Sequence, residues 1–234
     1  MPLPPPLVAR IRALAAQYEL PADSSQRFAA LLERLDDEHA PTTVREPAEA
    51  IDVHLADSLA GLDLPVVREA TAIADLGAGA GFPGLPLAIA LPAADVRLVE
   101  SIARKCAFIT AMAEAAQIGN AVAVARRAEE WPAGIGAHDL VTARALAPLG
   151  VLAEYAAPLL REGGALVAWK GRREPQEEAD AARAAALLGL ELEQIVPVSP
   201  YQGADHRHLY LLRKVAPTPA RFPRRPGMAR KRPH

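Results

Sequence analysis

The sequence predicts an α/β domain built on a mostly parallel sheet covered on both faces, with a helical extension in front of it. Three observations predict it. From residue 71 onward, short apolar runs alternate with longer stretches of helical spacing, the pattern of strand and helix units that bury a sheet from both sides. The first of these runs, Ala72-Ile73-Ala74-Asp75-Leu76, passes straight into Gly77-Ala78-Gly79-Ala80-Gly81-Phe82-Pro83-Gly84. Such a turn lets the backbone take positive φ, and lets a ligand approach the main chain before an apolar helix begins. Ahead of residue 66 the apolar residues recur at helical spacing instead.

Residues 1–6 are proline-rich and read as extended. Leu7, Ile11, Leu14 and Tyr18 are helically spaced, as are Phe28, Leu31, Leu32 and Leu35, so two amphipathic helices precede residue 37, with Asp23 or Ser24 as cap of the second. His39-Ala40-Pro41-Thr42-Thr43 reads as a loop. A third helix covers Pro47 to Leu62, with Ile51, Leu55, Leu59 and Leu62 on one face and His54, Asp57 and Ser58 on an adjoining polar face. Those three do not make a hydrolase triad: one helix cannot easily supply the geometry, and no nucleophile elbow is present. Strands follow at 72–76, 95–100, 121–126, 139–143, 164–169, 192–198 and 207–213, with helices at 83–91, 101–117, 149–160 and 174–189. The organisation expected is a helical extension over 1–66 packed on the core, an α/β core over 67–216, and a basic tail over 217–234.

A chain of 234 residues, 51% hydrophobic, can build a substantial core, which excludes wholesale disorder. No apolar run reaches the length of a membrane span, and the first residues are no secretory signal, so the cytoplasm is the expected location. Cys106 is the only cysteine, which excludes an internal disulfide and a cysteine-based zinc site; no metal is expected. Inside a helix after Lys105 it reads as a buried small hydrophobe rather than a nucleophile. The net charge of −2 conceals an asymmetry. Residues 213–234 hold eight of the 26 basic side chains and no acid, leaving 18 basic against 28 acidic ones before them. A basic tail on an acidic body suits a polyanion partner, and a merely solvated tail is the plain alternative.

In sheets of this kind the ligand lies past the carboxyl ends of the strands, near the point where the strand order reverses. The residues standing there are Asp75 to Gly81, Glu100-Ser101, Arg127-Ala128-Glu129, Arg144 and Lys170-Gly171. Gly79 to Gly84 spells G-x-G-x-x-G, with Glu100 about twenty residues on, as in a dinucleotide site. Two details favour S-adenosylmethionine. Asp75 beside the ligand would repel a pyrophosphate, and Pro83 removes an N–H where phosphate wants donors. A sulfonium and an ammonium group suit an acid and need no phosphate cradle. Glu100 can accept from both ribose hydroxyls, and Ala128 with Glu129 can address the adenine edge.

With these residues in hand, the chain resembles the small-subunit ribosomal RNA guanine-N7 methyltransferases, the RsmG family, also called glucose-inhibited division protein B. The match is carried by His54-Leu55-Ala56-Asp57-Ser58-Leu59, by Asp75 to Gly84, by Leu98-Val99-Glu100-Ser101 with Arg104-Lys105, by Arg127-Ala128-Glu129, and by Thr142-Ala143-Arg144-Ala145 with Lys170-Gly171. The tail Phe222-Pro223-Arg224-Arg225-Pro226-Gly227 with Lys231-Arg232-Pro233 is similar too. The resemblance spans roughly residues 40 to 234. It departs at Leu35 to Thr43, where the family commonly has a Trp-Asn and an Asn-Leu-Thr.

The resemblance implies the Rossmann-like class I methyltransferase fold, seven strands with the last antiparallel. It implies a cofactor site including Gly77, Phe82, Ala128, Glu129 and Arg144, which Asp75, Gly79, Gly81 and Glu100 join from the reading of the residues. The implied substrate is small-subunit ribosomal RNA, free or in the assembled subunit; oligomeric state stays open, with a monomer as the default. Guanine N7 has an in-plane lone pair and no hydrogen, so in-line transfer needs orientation rather than a general base. Arg144 is the candidate catalytic residue, placed to touch guanine O6 or steady the cofactor carboxylate. Lys105, Lys170, Arg172, Arg173, Arg224, Arg225, Arg230, Lys231 and Arg232 are the candidates for gripping RNA. A small-molecule methyltransferase, a dinucleotide oxidoreductase and a non-enzymatic binding protein remain as rival readings.

Overall fold

The structure is a computed structural model that describes residues 2–234. Helix α1 (Pro5–Gln17) and α2 (Ser24–Arg34) come first. A continuous helical segment follows as α3 (Pro47–Ala50), a π-turn (Ile51–Ala56), α4 (Asp57–Leu59) and a 3₁₀ turn (Ala60–Asp63), then the short α5 (Pro65–Arg68). The sheet alternates with the remaining helices: β1 (Ala72–Leu76), α6 (Gly84–Ala90), β2 (Asp95–Glu100), α7 (Ala103–Ala115), β3 (Ala121–Ala125), β4 (His138–Arg144), α8 (Leu149–Ala156), β5 (Leu160–Lys170), α9 (Pro175–Leu188), β6 (Leu190–Val198) and β7 (Arg207–Lys214). A last turn, α10 (Met228–Lys231), lies in the tail.

The seven strands run in the order β3-β2-β1-β4-β5-β7-β6, and β7 alone is antiparallel to its neighbours. The strand order reverses between β1 and β4, the place where a crevice opens. Period-two alternation divides the core. Ile73, Val96, Leu98, Leu140, Ala165, Val167, Leu209 and Leu211 face one layer, which α1, α2, the 47–63 segment, α6 and α7 fill. Ala74, Leu76, Val99, Val141, Ala143, Leu166, Ala168, Tyr210 and Leu212 face the other, filled by α8, α9 and the tail residues Phe222 and Ala229. The inner strands are thus apolar on both sides, as a doubly covered sheet requires, while the edge strands β3 and β6 are only partly buried. Asp139 pins the far end by accepting from the Thr71 and Ala72 amides and the Thr71 hydroxyl.

Three local expectations are corrected. The extended stretch expected over 1–6 is helical from Pro5, because proline fits a first helical turn whose N–H groups have no partner anyway; Met1 lies outside the described residues. Asp23 precedes α2 but makes no cap bond, and its carboxylate pairs instead with Arg27 at 2.7 Å. Ser24 is fully buried, and its hydroxyl has no partner. The expected α-helix over 47–62 is interrupted by the π-turn, and its polar face is buried, with His54 6%, Asp57 3% and Ser58 0% exposed. Burial is possible because each has a partner. Ser58 donates to the His54 carbonyl, His54 bonds to Thr42 of the preceding loop and to Arg144 of β4, and Asp57 bonds to Arg144.

This segment touches the sheet through Trp169 near the end of β5. Its indole N–H donates to the Asp57 carbonyl at 2.8 Å, and its ring lies so close to Gly61 that a Cβ there would come within 2.5 Å. Gly61→Ala is expected to cost about 1–3 kcal/mol of stability through overpacking against this fixed ring, measured as a lower urea midpoint. An unchanged midpoint would mean that the indole can move aside.

Candidate functional site

An open cavity of about 460 Å³ lies past the carboxyl ends of β1 to β4. Its wall holds Leu76 and Gly77 from β1 and its turn, Glu100 and Lys105 from β2 and α7, Arg127, Ala128 and Glu129 after β3, and Ala145 and Leu146 after β4. The tail closes the remaining side with Gly227 and Arg230, next to Tyr155 of α8. The turn keeps its shape through Gly77, Gly79 and Gly81 at φ of 66°, 58° and 96°, a region that side chains rarely enter. Gly77 and Ala78 donate their amides to the Val99 carbonyl, which holds the turn against the end of β2.

Glu100 is 6% exposed yet faces this space. One carboxylate oxygen accepts the Ile102 amide at 2.9 Å; the other accepts the Gly79 amide at 3.3 Å and lies 4.0 Å from the Lys105 ammonium. Each oxygen has a second lone pair for a hydroxyl donor. Glu129 accepts the Gly227 amide at 2.9 Å with Oε1. Of the expected cofactor residues, Gly77, Glu100, Ala128 and Glu129 therefore line the cavity, whereas Gly79 touches Glu100 from behind the wall and Gly81 is buried in the turn.

Asp75 is placed differently from the expectation that it stands beside the ligand. It is fully buried beneath the turn, where it accepts from the Gly84 amide at 3.0 Å and the Thr142 hydroxyl at 2.9 Å. Burial pushes its pKa up to about 7, against these two donors and the Arg144 charge. A Cβ on Gly84 would lie 2.8 Å from the Asp75 oxygen, so glycine is needed for this approach. The carboxylate thus occupies the start of α6, where a bound phosphate would sit, and Pro83 beside it has no N–H to offer. A phosphate cradle is absent from this turn, which fits a phosphate-free ligand.

Phe82 and Arg144 lie outside the main cavity. The Phe82 ring is 6% exposed, stacks on His54 at 4.5 Å between centroids, and lies 5.9 Å from the Arg144 guanidinium. Arg144 Nη1 donates to the Val53 carbonyl and to Asp57, each at 2.8 Å, and Nη2 meets His54 Nδ1 at 3.4 Å. Since His54 Nε2 faces the Val44 carbonyl, it must carry the proton and leave Nδ1 to accept from Arg144. Burial, and then the Arg144 charge, lower the His54 pKa to about 4, so the ring stays neutral. Arg144 also lines a second recess of about 170 Å³ with Asp57, Trp169, Lys170, Arg207 and His208. Ala145, at φ 53°, borders both spaces. Backbone strain of this kind collects at functional sites.

The expected RNA contacts separate into two groups. Arg172, Arg225, Lys231 and Arg232 are exposed. The others are committed elsewhere: Lys105 lines the main cavity, Lys170 pairs with Glu177 at 2.6 Å, Arg173 forks onto Glu178 with both bonds at 2.7 Å, and Arg224 forks onto the buried Glu154. Arg230 donates to the Leu146 carbonyl at 2.7 Å. His54, Asp57, Trp169, Arg207 and His208 were outside the sequence-derived set, since nothing in their local spacing signals contacts made across the fold. Cys106 is buried, and its thiol faces the Glu100 carbonyl at 3.1 Å. Burial raises its pKa, followed by the Glu100 charge, which leaves it a poor nucleophile. Among the described residues no group of three or more His, Cys, Asp or Glu could hold a metal ion, and no helix is long and apolar enough to cross a membrane.

The two perturbed groups give opposite pH dependences. Asp75 contributes stability that is complete below the ordinary 3.8 and is lost as pH rises through about 7; His54 contributes stability that is present above 6.5 and is lost as pH falls through about 4. Relative to the native chain, Asp75→Asn should therefore gain stability as pH rises from about 4 to about 7, and His54→Gln should gain as pH falls from 6.5 to about 4. Denaturant midpoints measured across that range read both. Profiles parallel to the native one would show that these groups do not titrate there.

Comparison with known proteins agrees with this geometry. The sequence model of the family described as rRNA small subunit methyltransferase G matches residues 22–210. The ribosomal RNA small subunit methyltransferase G of Desulfitobacterium hafniense is 36% identical over 97% of this chain and 96% of its own length. That of Chloroflexus aggregans is 40% identical over 82% and 81%. Among solved structures, a predicted O-methyltransferase from Agrobacterium tumefaciens superposes with a TM-score of 0.55 at 26% identity, covering 69% of this chain and 81% of that one. A SAM-dependent methyltransferase from Aquifex aeolicus shares the fold at TM-score 0.57 and 14% identity, over 79% and 97%. With the seven-stranded order, the glycine turn and matches across most of its length, the chain belongs to the rRNA small subunit methyltransferase G family.

Proposed function

We propose that the protein transfers a methyl group from S-adenosylmethionine to N7 of a guanine in small-subunit ribosomal RNA, acting as a monomer in the cytoplasm. The observation that carries this reading is the meeting of two spaces at Ala145. One is a cavity walled by Glu100 and Glu129; the other is a basic recess holding Arg144, Lys170 and Arg207. S-adenosylmethionine supplies an electrophilic methyl on a sulfonium, and the N7 lone pair takes it without losing a proton.

In this reading Glu100 accepts from the ribose hydroxyls, and Ala128 with Glu129 addresses the adenine. The recess has room for a single base and none for a duplex, so the guanine enters extruded from its stack. A guanidinium has five N–H donors; with three of Arg144's committed to Val53, Asp57 and His54, two remain for the guanine edge. The same contacts prevent Arg144 from moving, so it holds a base in line more firmly than a free side chain would. His208 donates Nδ1–H to the Gly171 carbonyl at 2.9 Å, leaving Nε2 as an acceptor at the recess. N7 chemistry asks for no base there.

The phosphates of the RNA would fall to Arg172, Arg225, Lys231 and Arg232, the exposed cations among those expected whose side chains are not spent on a carboxylate or carbonyl. Because Arg224 forks onto a buried carboxylate and Arg230 donates to the Leu146 carbonyl, the tail's charge is weaker support for RNA than the sequence suggested. Family membership is the stronger support.

Labelled S-adenosylmethionine offered to small-subunit RNA and to assembled small subunits should place label in N7-methylguanine at one position. Label on small molecules alone would replace this reading with the rival small-molecule enzyme. Arg144→Ala should lower turnover about a hundredfold. Arg144→Lys, which keeps a cation for Asp57 but loses the fork, should stay folded and lose about tenfold. Near-native turnover in the lysine variant would remove the fork from the mechanism.

A further inference from the structure

The tail is tied down along its whole course by contacts that RNA binding does not require. Thr218 donates to the Ala157 carbonyl at 3.0 Å, and Phe222 is 7% exposed, with its ring edge-on to His234. Arg224 forks onto Glu154, a carboxylate 5% exposed on α8, and also reaches the Arg232 carbonyl at 3.0 Å, which closes the strap on itself. Ala229 is buried at 3%. From this anchor two groups reach the main cavity: the Gly227 amide, which donates to Glu129, and Arg230, which spans to Leu146 on the opposite wall. A part-buried arginine fork on a buried carboxylate fixes geometry tightly, and here the geometry fixed is that of a cavity wall.

We propose that residues 222–232 form a wall of the cofactor site, and that Arg224, through Glu154, is the positioning residue that holds this wall against Glu129. The inference rests on the reading of the cavity as the site of S-adenosylmethionine. Glu129 lines the cavity and has one oxygen taken by Gly227, so this bond restricts how the carboxylate can turn. Arg230 bridges from the strap to Leu146, so the mouth of the cavity narrows as the strap is seated. Loosening the strap frees Glu129 to rotate and opens that wall to water. Donor affinity then falls while the recess at Arg144, on the far side of Ala145, is left as it was.

The test is calorimetric titration of the full-length protein with S-adenosylhomocysteine, without RNA, together with initial rates on small-subunit RNA. Arg224→Ala should weaken S-adenosylhomocysteine about tenfold and raise KM for S-adenosylmethionine by a similar factor. Turnover at saturating donor and KM for RNA should stay near the native values. Arg224→Lys, with a point charge in place of the fork, should recover part of the affinity. If circular dichroism shows Arg224→Ala to be unfolded, Arg230→Ala decides, because its side chain is exposed and its loss removes the bridge to Leu146 while the Arg224 fork stays; about threefold weaker binding is expected. Unchanged affinity in a folded variant, with KM for RNA raised instead, would overturn the proposal and make the tail an RNA arm. Failure of the native protein to take up S-adenosylhomocysteine would overturn the reading of the cavity itself.

Discussion

Arg144, at the end of β4, donates to Val53 and Asp57 in the N-terminal helical segment, and its guanidinium lies over the Phe82 ring of the glycine turn. Its side chain is 15% exposed and that of Asp57 4%, so each charge depends on the other for compensation. Arg207, at the start of β7, stands 3.9 Å from the second Asp57 oxygen, and Trp169 of β5 donates to the Asp57 carbonyl. Five distant parts of the chain therefore meet at one ion pair. The π-turn is the local consequence. It places the Val53 carbonyl and the Asp57 carboxylate where one guanidinium nitrogen reaches both, and such turns recur at functional sites.

A buried acid governs the glycine turn from below. Asp75 spends its acceptors on the first amide of α6 and on Thr142 of the neighbouring strand. This couples the turn between β1 and α6 to β4, whose next residues are Ala143 and Arg144. The turn, the helix start and the candidate catalytic strand are thus tied to one side chain. The same carboxylate fills the place that gives dinucleotide folds their grip on pyrophosphate. The G-x-G-x-x-G spelling is preserved while its phosphate chemistry is not, so the motif alone is a poor guide to the ligand.

Charge is distributed in the fold differently from its distribution along the chain. The basic tail follows an acidic body in sequence, and in space several of its cations are spent on that body. Arg224 neutralises Glu154, Arg230 bonds a carbonyl across the cavity, and Lys214 reaches the Leu188 carbonyl. What stays exposed without a carboxylate or carbonyl partner is a smaller set, Arg221, Arg225, Lys231 and Arg232 in the tail and Arg172 after β5. A linear excess of charge is therefore an upper bound on what a polyanion can meet. Pairing with buried carboxylates takes the rest.

The sequence by itself determined the sheet, its seven strands, the glycine turn and the positions of the residues that end each strand. These follow from local periodicity and from glycine's freedom at positive φ, which neighbouring residues alone disclose. The resemblance carried by short motifs supplied the antiparallel last strand and the reaction class. Glu100 and Glu129 were legible as cavity residues because a strand end fixes where they stand. Only the tertiary structure decided that Asp75 lies beneath the turn rather than beside a ligand, and that Phe82 stacks on His54. It alone tied Arg144 to Asp57 and turned Arg224 inward to Glu154. The partners in these pairs are 9, 28, 87 and 70 residues apart or more, and a charged side chain reads alike in sequence whether it faces water or a buried counter-charge. Desolvation makes the difference, and desolvation belongs to the packed fold.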